Sequence, residues 1–328
     1  MPSEQAAAEI GGYPSFEASG HHPLNPRALM LNTARNAIEY VIRARGYTRL
    51  LLPRWCCAAL LTPASRLGVP VDWYAVDSSL MPQLPAAVPR GTVALVTNYF
   101  GLLSPEDVQR IAREAQEEHE GLSVLIDNSQ AYFEPPLPGL DTVYSCRKFF
   151  GVPDGALLFS DAVLADELES DESFNRFAYL FKRLDCGAQA GYADFQANES
   201  LLDDVPLRYM SRSTRQVLQS LNREQARLAR EANWRILHEA LKGRNRLSFE
   251  RMPPGPLCYP FLTSEGPRLR ERLIVQGVFV PTYWADALKR LGETDIEYDF
   301  VENIVALPLD QRYGAADMER IVDLIERR

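Results

Sequence analysis

Two side chains near the middle of the chain have types and spacing that could do chemistry together. Asp127 ends the apolar run 124–126, and Lys148 follows the β-prone run 142–145. An ionised carboxylate at the end of a buried strand needs a cationic or hydrogen-bonding partner, because its burial is otherwise costly. Removal of water from Lys148 by Phe149, Phe150 and Val152 would favour the neutral, nucleophilic amine that forms Schiff bases. This pair therefore indicates a reactive centre.

The alternative is that both residues have ordinary structural roles: the strand-end aspartate caps a turn, and the lysine extends to water. The lysine content narrows the candidates, since the sequence has only Lys148, Lys182, Lys242 and Lys289. Lys182 and Lys289 lie in charged, helix-like stretches, and Lys242 precedes a glycine at a helix end. If the chain forms a Schiff base, Lys148 is the candidate.

The residues Asp127-x-x-Gln130, then Lys148, then Asp154-Gly155 six and seven positions later resemble the signature of the DegT/DnrJ/StrS-type aminotransferases. Members of that family are pyridoxal phosphate (PLP) enzymes of fold type I that aminate keto-sugars on nucleotide carriers. The resemblance implies that Asp127 pairs with the pyridine nitrogen, Gln130 approaches the ring hydroxyl and Lys148 holds the cofactor as a Schiff base. A related dehydratase branch has histidine in place of the lysine, and Lys148 argues against it.

Other positions that the resemblance implies as cofactor contacts depart from the family pattern. Thr33-Ala34-Arg35 stands where a Ser-Gly-Thr turn binds the phosphate, and Arg35 could supply charge there. Cys57 stands where an aromatic residue stacks on the ring. Either Cys57 packs against the ring with weaker contact or Trp55 stacks instead, and the alternative for Trp55 is core packing. Val143 replaces a phosphate-binding serine, and Ser145 is the substitute candidate.

Three residues are candidates for contact with substrate. Tyr99 lies in an aromatic-glycine turn after the strand at 92–97, a turn that lies near the active site in the resembled family. Arg208 and Arg212 belong to an Arg-Met-Ser-like element and could meet an anionic group of the substrate. The alternative for both arginines is a surface position at the start of a helix.

The elements that must position these residues alternate between strand and helix. Residues 49–77 read as strand, helix (Trp55 to Gly68) and strand, which predicts a parallel sheet. The run 31–46 predicts a helix that begins near Asn32-Thr33 and ends at a glycine. Ser104 with Pro105 predicts the start of another helix, which runs to about residue 119.

The second half is predicted to be a loop over 186–206 and then a long helix to about residue 241. Strands at 257–261 and 304–309, with helices at 267–276 and 315–327, follow. With the resemblance, this predicts a three-layer α/β/α PLP-transferase fold with a mostly parallel sheet. The expected parts are an N-terminal arm (1–30), a large PLP-binding domain (31–241) and a smaller C-terminal α/β domain (242–328).

Composition excludes several classes of protein. The net charge is −9, which argues against a sequence-independent nucleic-acid binder. No apolar run reaches membrane-spanning length, and the N-terminus lacks the features of a signal peptide, so a cytoplasmic protein is expected. Five cysteines without a Cys-x-x-Cys pair and four scattered histidines predict reduced thiols and no metal site.

The residues and the resemblance together predict a PLP-dependent aminotransferase with a small-molecule amino donor and a keto acceptor. The resemblance implies that it works as a homodimer. The resemblance implies that the acceptor is a nucleotide-linked keto-sugar. Two alternatives stay open. One is a non-catalytic homologue that binds a ligand or a partner chain, motivated by the departures at Ala34, Cys57 and Val143. The other is a PLP enzyme with a different outcome, such as elimination.

Overall fold

The computed structural model describes residues 22–118 and 121–327. Its core is an eight-stranded sheet, followed in the chain by a two-stranded sheet. The ten strands are β1 (Leu29–Leu31), β2 (Arg49–Pro53), β3 (Val71–Val76), β4 (Pro82–Gln83), β5 (Thr92–Thr97), β6 (Leu122–Asp127), β7 (Asp141–Ser145), β8 (Ala156–Phe159), β9 (Cys258–Leu262) and β10 (Ile304–Pro308).

Ten α-helices surround the two sheets within the described part of the chain. They are α1 (Ala34–Arg45), α2 (Leu61–Leu67), α3 (Pro105–Glu118), α4 (Ala178–Cys186), α5 (Tyr192–Asp204), α6 (Arg212–Ser220), α7 (Arg223–Leu241), α8 (Gly266–Val275), α9 (Ile296–Asn303) and α10 (Ala315–Glu326). None of the helices described over 22–118 and 121–327 is long and apolar enough to cross a membrane.

The order of strands in the large sheet is β1-β8-β7-β6-β5-β2-β3-β4. The five central strands β7, β6, β5, β2 and β3 run parallel, and β8, β1 and β4 add antiparallel pairings. Every residue of β5 and β7 is buried, as expected for strands covered by helices on both faces. The α/β fold with a mostly parallel sheet is thereby confirmed.

Local sequence signals place α1 and α3 as expected. Thr33 caps α1 by accepting a hydrogen bond from the N–H of Asn36 at 3.1 Å, and Gly46 ends the helix with a φ of 68°. Ser104 and Asp107 form the reciprocal bonds of a capping box, with both backbone contacts at 3.0 Å. The last predicted residue of that helix, 119, lies outside the described residues.

The helix predicted from Trp55 begins later than expected. A short 3₁₀ turn occupies 58–60, and α2 begins only at Leu61. The reason lies far away in the sequence, because Arg290 donates to the backbone carbonyls of Arg54 and Cys56 at 2.6 and 2.7 Å. These carbonyls therefore bond to a side chain from the C-terminal half, and the backbone at 54–57 is not helical.

Two predictions for the middle of the chain are wrong. The predicted loop at 186–206 contains α5, a helix whose only buried residues are Asn198 and Leu202, so its sequence carries almost no apolar periodicity. The predicted long helix divides into α6 and α7. Asn222 takes a non-helical conformation there and caps α7 by accepting from the N–H of Gln225 at 3.0 Å.

The C-terminal elements form a second core around the antiparallel pair β9 and β10. Helix α7 contributes Trp234, Leu237 and Leu241 to this core, while Ala226 near its start packs with the large sheet's residues. One helix therefore contacts both parts of the molecule. The domain boundaries at residues 30 and 241 stay predictions, and most of the predicted N-terminal arm lies outside the described residues.

Candidate active site

Asp127 lies at the carboxyl end of β6, in the middle of the sheet. Its side chain is 5% exposed, and Oδ1 accepts a hydrogen bond from the N–H of Ser129 at 2.9 Å. The carbonyl of Asp127 accepts from the N–H of Asn98 at 3.0 Å, which ties the ends of β5 and β6 together. A rigid, buried carboxylate at this edge of the sheet suits the pairing with a cationic ligand atom that the sequence predicts.

Gln130 follows one turn later and is 1% exposed. Its Oε1 accepts from the N–H of Phe100 at 2.9 Å, and this bond fixes the direction of the amide. Among the residues that the structure describes, the Nε2 of Gln130 has no hydrogen-bond partner, and neither has the Oγ1 of Thr97 at the end of β5. Buried donors without a partner are rare and point to a missing one.

Lys148 lies in the turn between β7 and β8, and its side chain is exposed. Backbone bonds to Cys146 hold the turn, since its carbonyl accepts from Phe149 at 3.1 Å and from Phe150 at 2.9 Å. The two phenylalanines are buried and pack against Tyr132. The expectation that they remove water from the lysine is therefore wrong: their rings point into the core, and the amine stays in solvent.

Asp154 anchors the far end of the same turn. It is fully buried, and it accepts hydrogen bonds from the backbone N–H of Ser211 at 2.9 Å, from the Ser211 hydroxyl at 3.0 Å and from the hydroxyl of Thr214. The neighbouring Gly155 has a φ of 118°, and a Cβ there would lie 3.1 Å from the Thr214 side chain. The aspartate–glycine pair of the sequence signature thus fixes the turn 146–155, called the lysine turn below, onto α6.

Lys148 opens into a cavity of about 1110 Å³ between the lysine turn, the pair α4–α5 and the C-terminal elements. Its cationic side chains are Lys148, Arg147, Arg183, Arg230, Arg312 and Arg320. Aromatic residues of the lining outside the lysine turn are Tyr179, Tyr192, Phe195, Phe279 and Tyr313. The acidic side chains of this lining are Asp310 and Asp317. The cavity is therefore electropositive, although the whole chain is acidic.

Several cavity residues were not anticipated from the sequence. Arg147 forms an ion pair with Glu199 of α5, and burial lowers the pKa of the Arg147 guanidinium to about 10. Arg312 pairs with Asp310 at 2.7 Å. These residues are brought together from turns and helices far apart in the chain, so no local motif marks them. The exception is Arg147, which directly precedes the lysine.

The residues predicted at the cofactor phosphate lie around the start of α1. Thr33 is buried as the helix cap, and Ala34 begins the helix. The Arg35 side chain forms an ion pair with Asp203, the exposed penultimate residue of α5. Ser145 is buried at the end of β7. The loop carbonyl of Asn32 accepts from the N–H of Gly155 at 2.6 Å, so the start of α1 adjoins the lysine turn.

The aromatic candidates Trp55 and Tyr99 are packed against each other. Their rings stack with centroids 4.7 Å apart, and the indole N–H donates to the carbonyl of Tyr283 at 2.9 Å. Both side chains are at most 1% exposed, and burial raises the pKa of Tyr99 well above its ordinary value. The core-packing alternative describes Trp55, and Tyr99 shows no open face to a substrate. Cys57 remains half-buried.

The two arginines proposed for an anionic substrate group lie elsewhere. Arg208 donates to Glu169 at 2.9 Å on the surface, and Arg212 is an exposed first residue of α6. Neither side chain lines the cavity around Lys148. The surface alternative therefore describes both arginines in this structure.

No protein-family model matches this sequence, and no curated protein matches it either. Solved structures do match its fold. An aminotransferase of the DegT DnrJ EryC1 StrS kind from Brucella abortus aligns with a TM-score of 0.62 over 93% of this chain and 90% of its own, at 16% identity. The chain has the fold of these aminotransferases.

Two further structures agree at the same 16% identity. The sugar aminotransferase CalS13 from Micromonospora echinospora aligns with a TM-score of 0.63 and covers 92% of this chain and 87% of its own. DesV from S. venezuelae, solved in complex with a ketimine intermediate, gives 0.64 and covers 94% and 92%. This similarity confirms the predicted PLP-transferase fold over nearly the whole chain.

Proposed function

We propose that this protein is a PLP-dependent aminotransferase that passes an amino group to a keto acceptor. The observation that carries the proposal is the position of Asp127, Gln130 and Lys148 on one edge of a sheet with the aminotransferase fold. We call these three residues the ring end of the site. Thr33–Arg35 together with Cys57 form its anchoring end.

The ring end fits the cofactor in its chemistry. Asp127 is a buried acceptor for a pyridinium N–H, and its side-chain Oδ1 already accepts from the N–H of Ser129. The unpartnered Nε2 of Gln130 is a donor for the ring hydroxyl. The exposed Lys148 amine is free to reach the aldehyde carbon. At the anchoring end, the first N–H groups of α1 have no acceptor within the helix and suit a phosphate.

PLP, when bound, would supply an electron sink for the charge left when the α-carbon of the amino donor loses a proton. Asp127 would hold a proton on the ring nitrogen, because a buried carboxylate stabilises an adjacent cation. Lys148 would hold the cofactor through its Nζ. As a free amine, the same Nζ would move the α-proton of the donor as a general base. Gln130 orients the ring through its hydroxyl.

The cavity beside Lys148 is our proposed site for the keto acceptor. Its cations favour an anionic group, and Tyr179, Tyr192 and Phe195 offer flat surfaces to a planar ring. A nucleotide-linked keto-sugar combines a ring, phosphates and a carbonyl. CalS13, which shares the fold, is described as a sugar aminotransferase. A volume of about 1110 Å³ is large enough for such a ligand.

A homodimer in the cytoplasm is part of the same proposal. Large apolar side chains on α4 and α5 face solvent in the single chain, among them Phe181, Leu184, Tyr192 and Leu201 with exposed fractions of 51% to 79%. Contiguous exposed apolar surface is typical of protein–protein interfaces. Light scattering of the purified protein tests this part, and a monomer at micromolar concentration would contradict it.

The decisive experiment is an absorbance titration of the purified protein with PLP, followed by borohydride reduction and peptide mapping. We expect a visible band and a reduced adduct on Lys148 in the wild type, both lost in Lys148→Ala and kept in Lys182→Ala. Lys182 is a matched control because it is an exposed lysine paired with Asp194. Bleaching of the band by an amino donor, with amination of a keto acceptor, completes the assignment.

Other outcomes separate the alternatives. A band that no donor bleaches keeps the cofactor but indicates a different PLP reaction, such as elimination. The absence of any band from a folded protein contradicts the proposal and favours a non-catalytic homologue, for which Cys57 in place of a stacking aromatic residue would be the physical reason.

A further inference from the structure

Arg230 of α7 is a buried cation near Lys148 with no carboxylate partner among the described residues. It is 1% exposed, and its guanidinium donates to the carbonyl of Pro256 at 2.9 Å and to the Oε1 of Gln311 at 2.7 Å. The third direction is taken by the carbonyl of Phe149 at 3.2 Å. Burial lowers the pKa of Arg230 to about 10.

A buried charge at this position is unfavourable. Moving a guanidinium out of water destabilises the folded protein unless good hydrogen bonds replace those to water. A methionine of similar length would fill the space between α7 and the lysine turn without that penalty. What only the guanidinium provides is its set of directed bonds, so the atoms that receive them show what Arg230 does.

The carbonyl of Phe149 accepts two hydrogen bonds from outside its own turn, one of them from Arg230. Besides Arg230, the Nε2 of Gln311 donates to it at 2.9 Å, so both lone pairs of this oxygen are used. The Arg230 guanidinium also lies 4.8 Å from the centre of the Phe149 ring. Phe149 directly follows Lys148, and Gln311 follows β10 in the C-terminal part.

We propose that Arg230 and Gln311 are positioning residues that fix the direction of Lys148 by holding the Phe149 carbonyl. The sheet side of the turn is held by the bonds of Cys146 and Asp154. Arg230 and Gln311 hold the opposite side, from α7 and from the C-terminal part. A shift of the C-terminal part therefore moves the lysine. This inference rests on the proposed role of Lys148 in holding the cofactor.

The variants that test the inference are Arg230→Met, Gln311→Leu and the double variant. Arg235→Met is the matched control, because Arg235 lies on the same helix with a side chain that is 63% exposed. The first measurement is the rate at which PLP attaches to Lys148, trapped by borohydride and mapped by mass spectrometry. We expect each single variant to slow attachment by about tenfold, since misplacement by about 1 Å has large effects on rate.

The double variant is expected to be little slower than the worse single variant, because both residues act on one oxygen. Adduct formation at Lys182 in the same samples is the internal reference and should not change. A loss that is equal at both lysines would show a general effect of destabilisation and would overturn the assignment. Gln311 is half-buried, so Gln311→Leu keeps the test usable if Arg230→Met fails to fold.

Hydrogen exchange provides a second readout that needs no cofactor. Amides of residues 146–150 are expected to exchange at least about tenfold faster in both single variants than in the wild type, with little change in β5 and β6. Unchanged exchange in folded variants would overturn the inference. If wild-type Lys148 fails to bind PLP while the exchange changes as expected, the proposed function fails and the positioning of the turn stands.

Discussion

The ring end and the anchoring end of the candidate site differ in how far their side chains are already bonded to other protein groups. Asp127 and Gln130 each keep polar atoms available after their local bonds are made, and Lys148 is exposed. At the anchoring end the Arg35 side chain is engaged by Asp203, and the residue at 57 is a cysteine. The groups suited to the chemistry and the groups suited to binding the cofactor can therefore vary separately in one fold.

The physical reason is that the two ends do different work. In the proposed function the ring end determines where protons and electrons go, which requires particular functional groups at particular places. The anchoring end would contribute binding energy alone, and backbone N–H groups at a helix start can supply much of it. We therefore expect ring-end substitutions to change turnover and anchoring-end substitutions to change affinity for PLP.

The largest effect is expected from Asp127→Asn. The amide cannot hold a proton on the ring nitrogen, so turnover should fall by about 10²–10³-fold, as when one stabilising electrostatic contact is removed. The dissociation constant for PLP should change far less. Steady-state kinetics and a PLP titration on the same preparation measure both quantities. A variant that loses affinity for PLP but keeps its turnover would contradict this prediction, since Asp127 would then serve to bind the cofactor.

Asp154→Asn should act on stability. The carboxylate accepts three hydrogen bonds in a fully buried place, and the amide would turn a donor toward one of these donors. We expect a loss of about 2–3 kcal/mol in the free energy of unfolding, measured by urea titration. Asp185→Asn at the exposed end of α4 is the control and should change little. Equal stability of the two variants would show that Asp154 does not anchor the lysine turn.

Cys57→Tyr is expected to change the affinity for PLP without changing turnover. Cys57 is half-buried at the position where the resembled family has a ring-stacking aromatic residue. Stacking contributes about 0.5–1.5 kcal/mol beyond area, so PLP should bind about two- to tenfold more tightly, with turnover nearly unchanged. Fluorescence titration gives the affinity. Weaker binding in a folded variant would place the cofactor ring away from residue 57.

The smallest effect is expected from Arg35→Met. Its partner Asp203 is 62% exposed, and exposed ion pairs contribute at most about 1 kcal/mol. If the backbone N–H groups of α1 hold the phosphate, the dissociation constant for PLP should rise by less than about threefold. A rise above about tenfold would instead show that Arg35 leaves Asp203 and turns onto the phosphate when the cofactor binds.

The elements that the sequence predicts correctly are marked by local signals, such as apolar runs and helix caps. The apolar runs of β5, β6 and β7 gave the sheet, and Thr33 with Gly46 gave both ends of α1. The spacing of Asp127, Lys148 and Asp154 gave the edge of the sheet where the candidate site lies. Helix α5 was missed because its residues gain little from burial, so the sequence carries no apolar pattern for it.

The sequence alone was sufficient to predict the central strands of the large sheet, the candidate lysine and the resemblance. These predictions depend on residue types and on short spacings along the chain. Tertiary structure alone decided that Phe149 and Phe150 point away from Lys148, and that Trp55 stacks on Tyr99 in the core. It also decided which cations surround the cavity. Such contacts join residues from about 17 positions apart, as for Tyr132 and Phe149, to more than a hundred, as for Arg147 and Arg312. Their energies contribute only when the chain is packed.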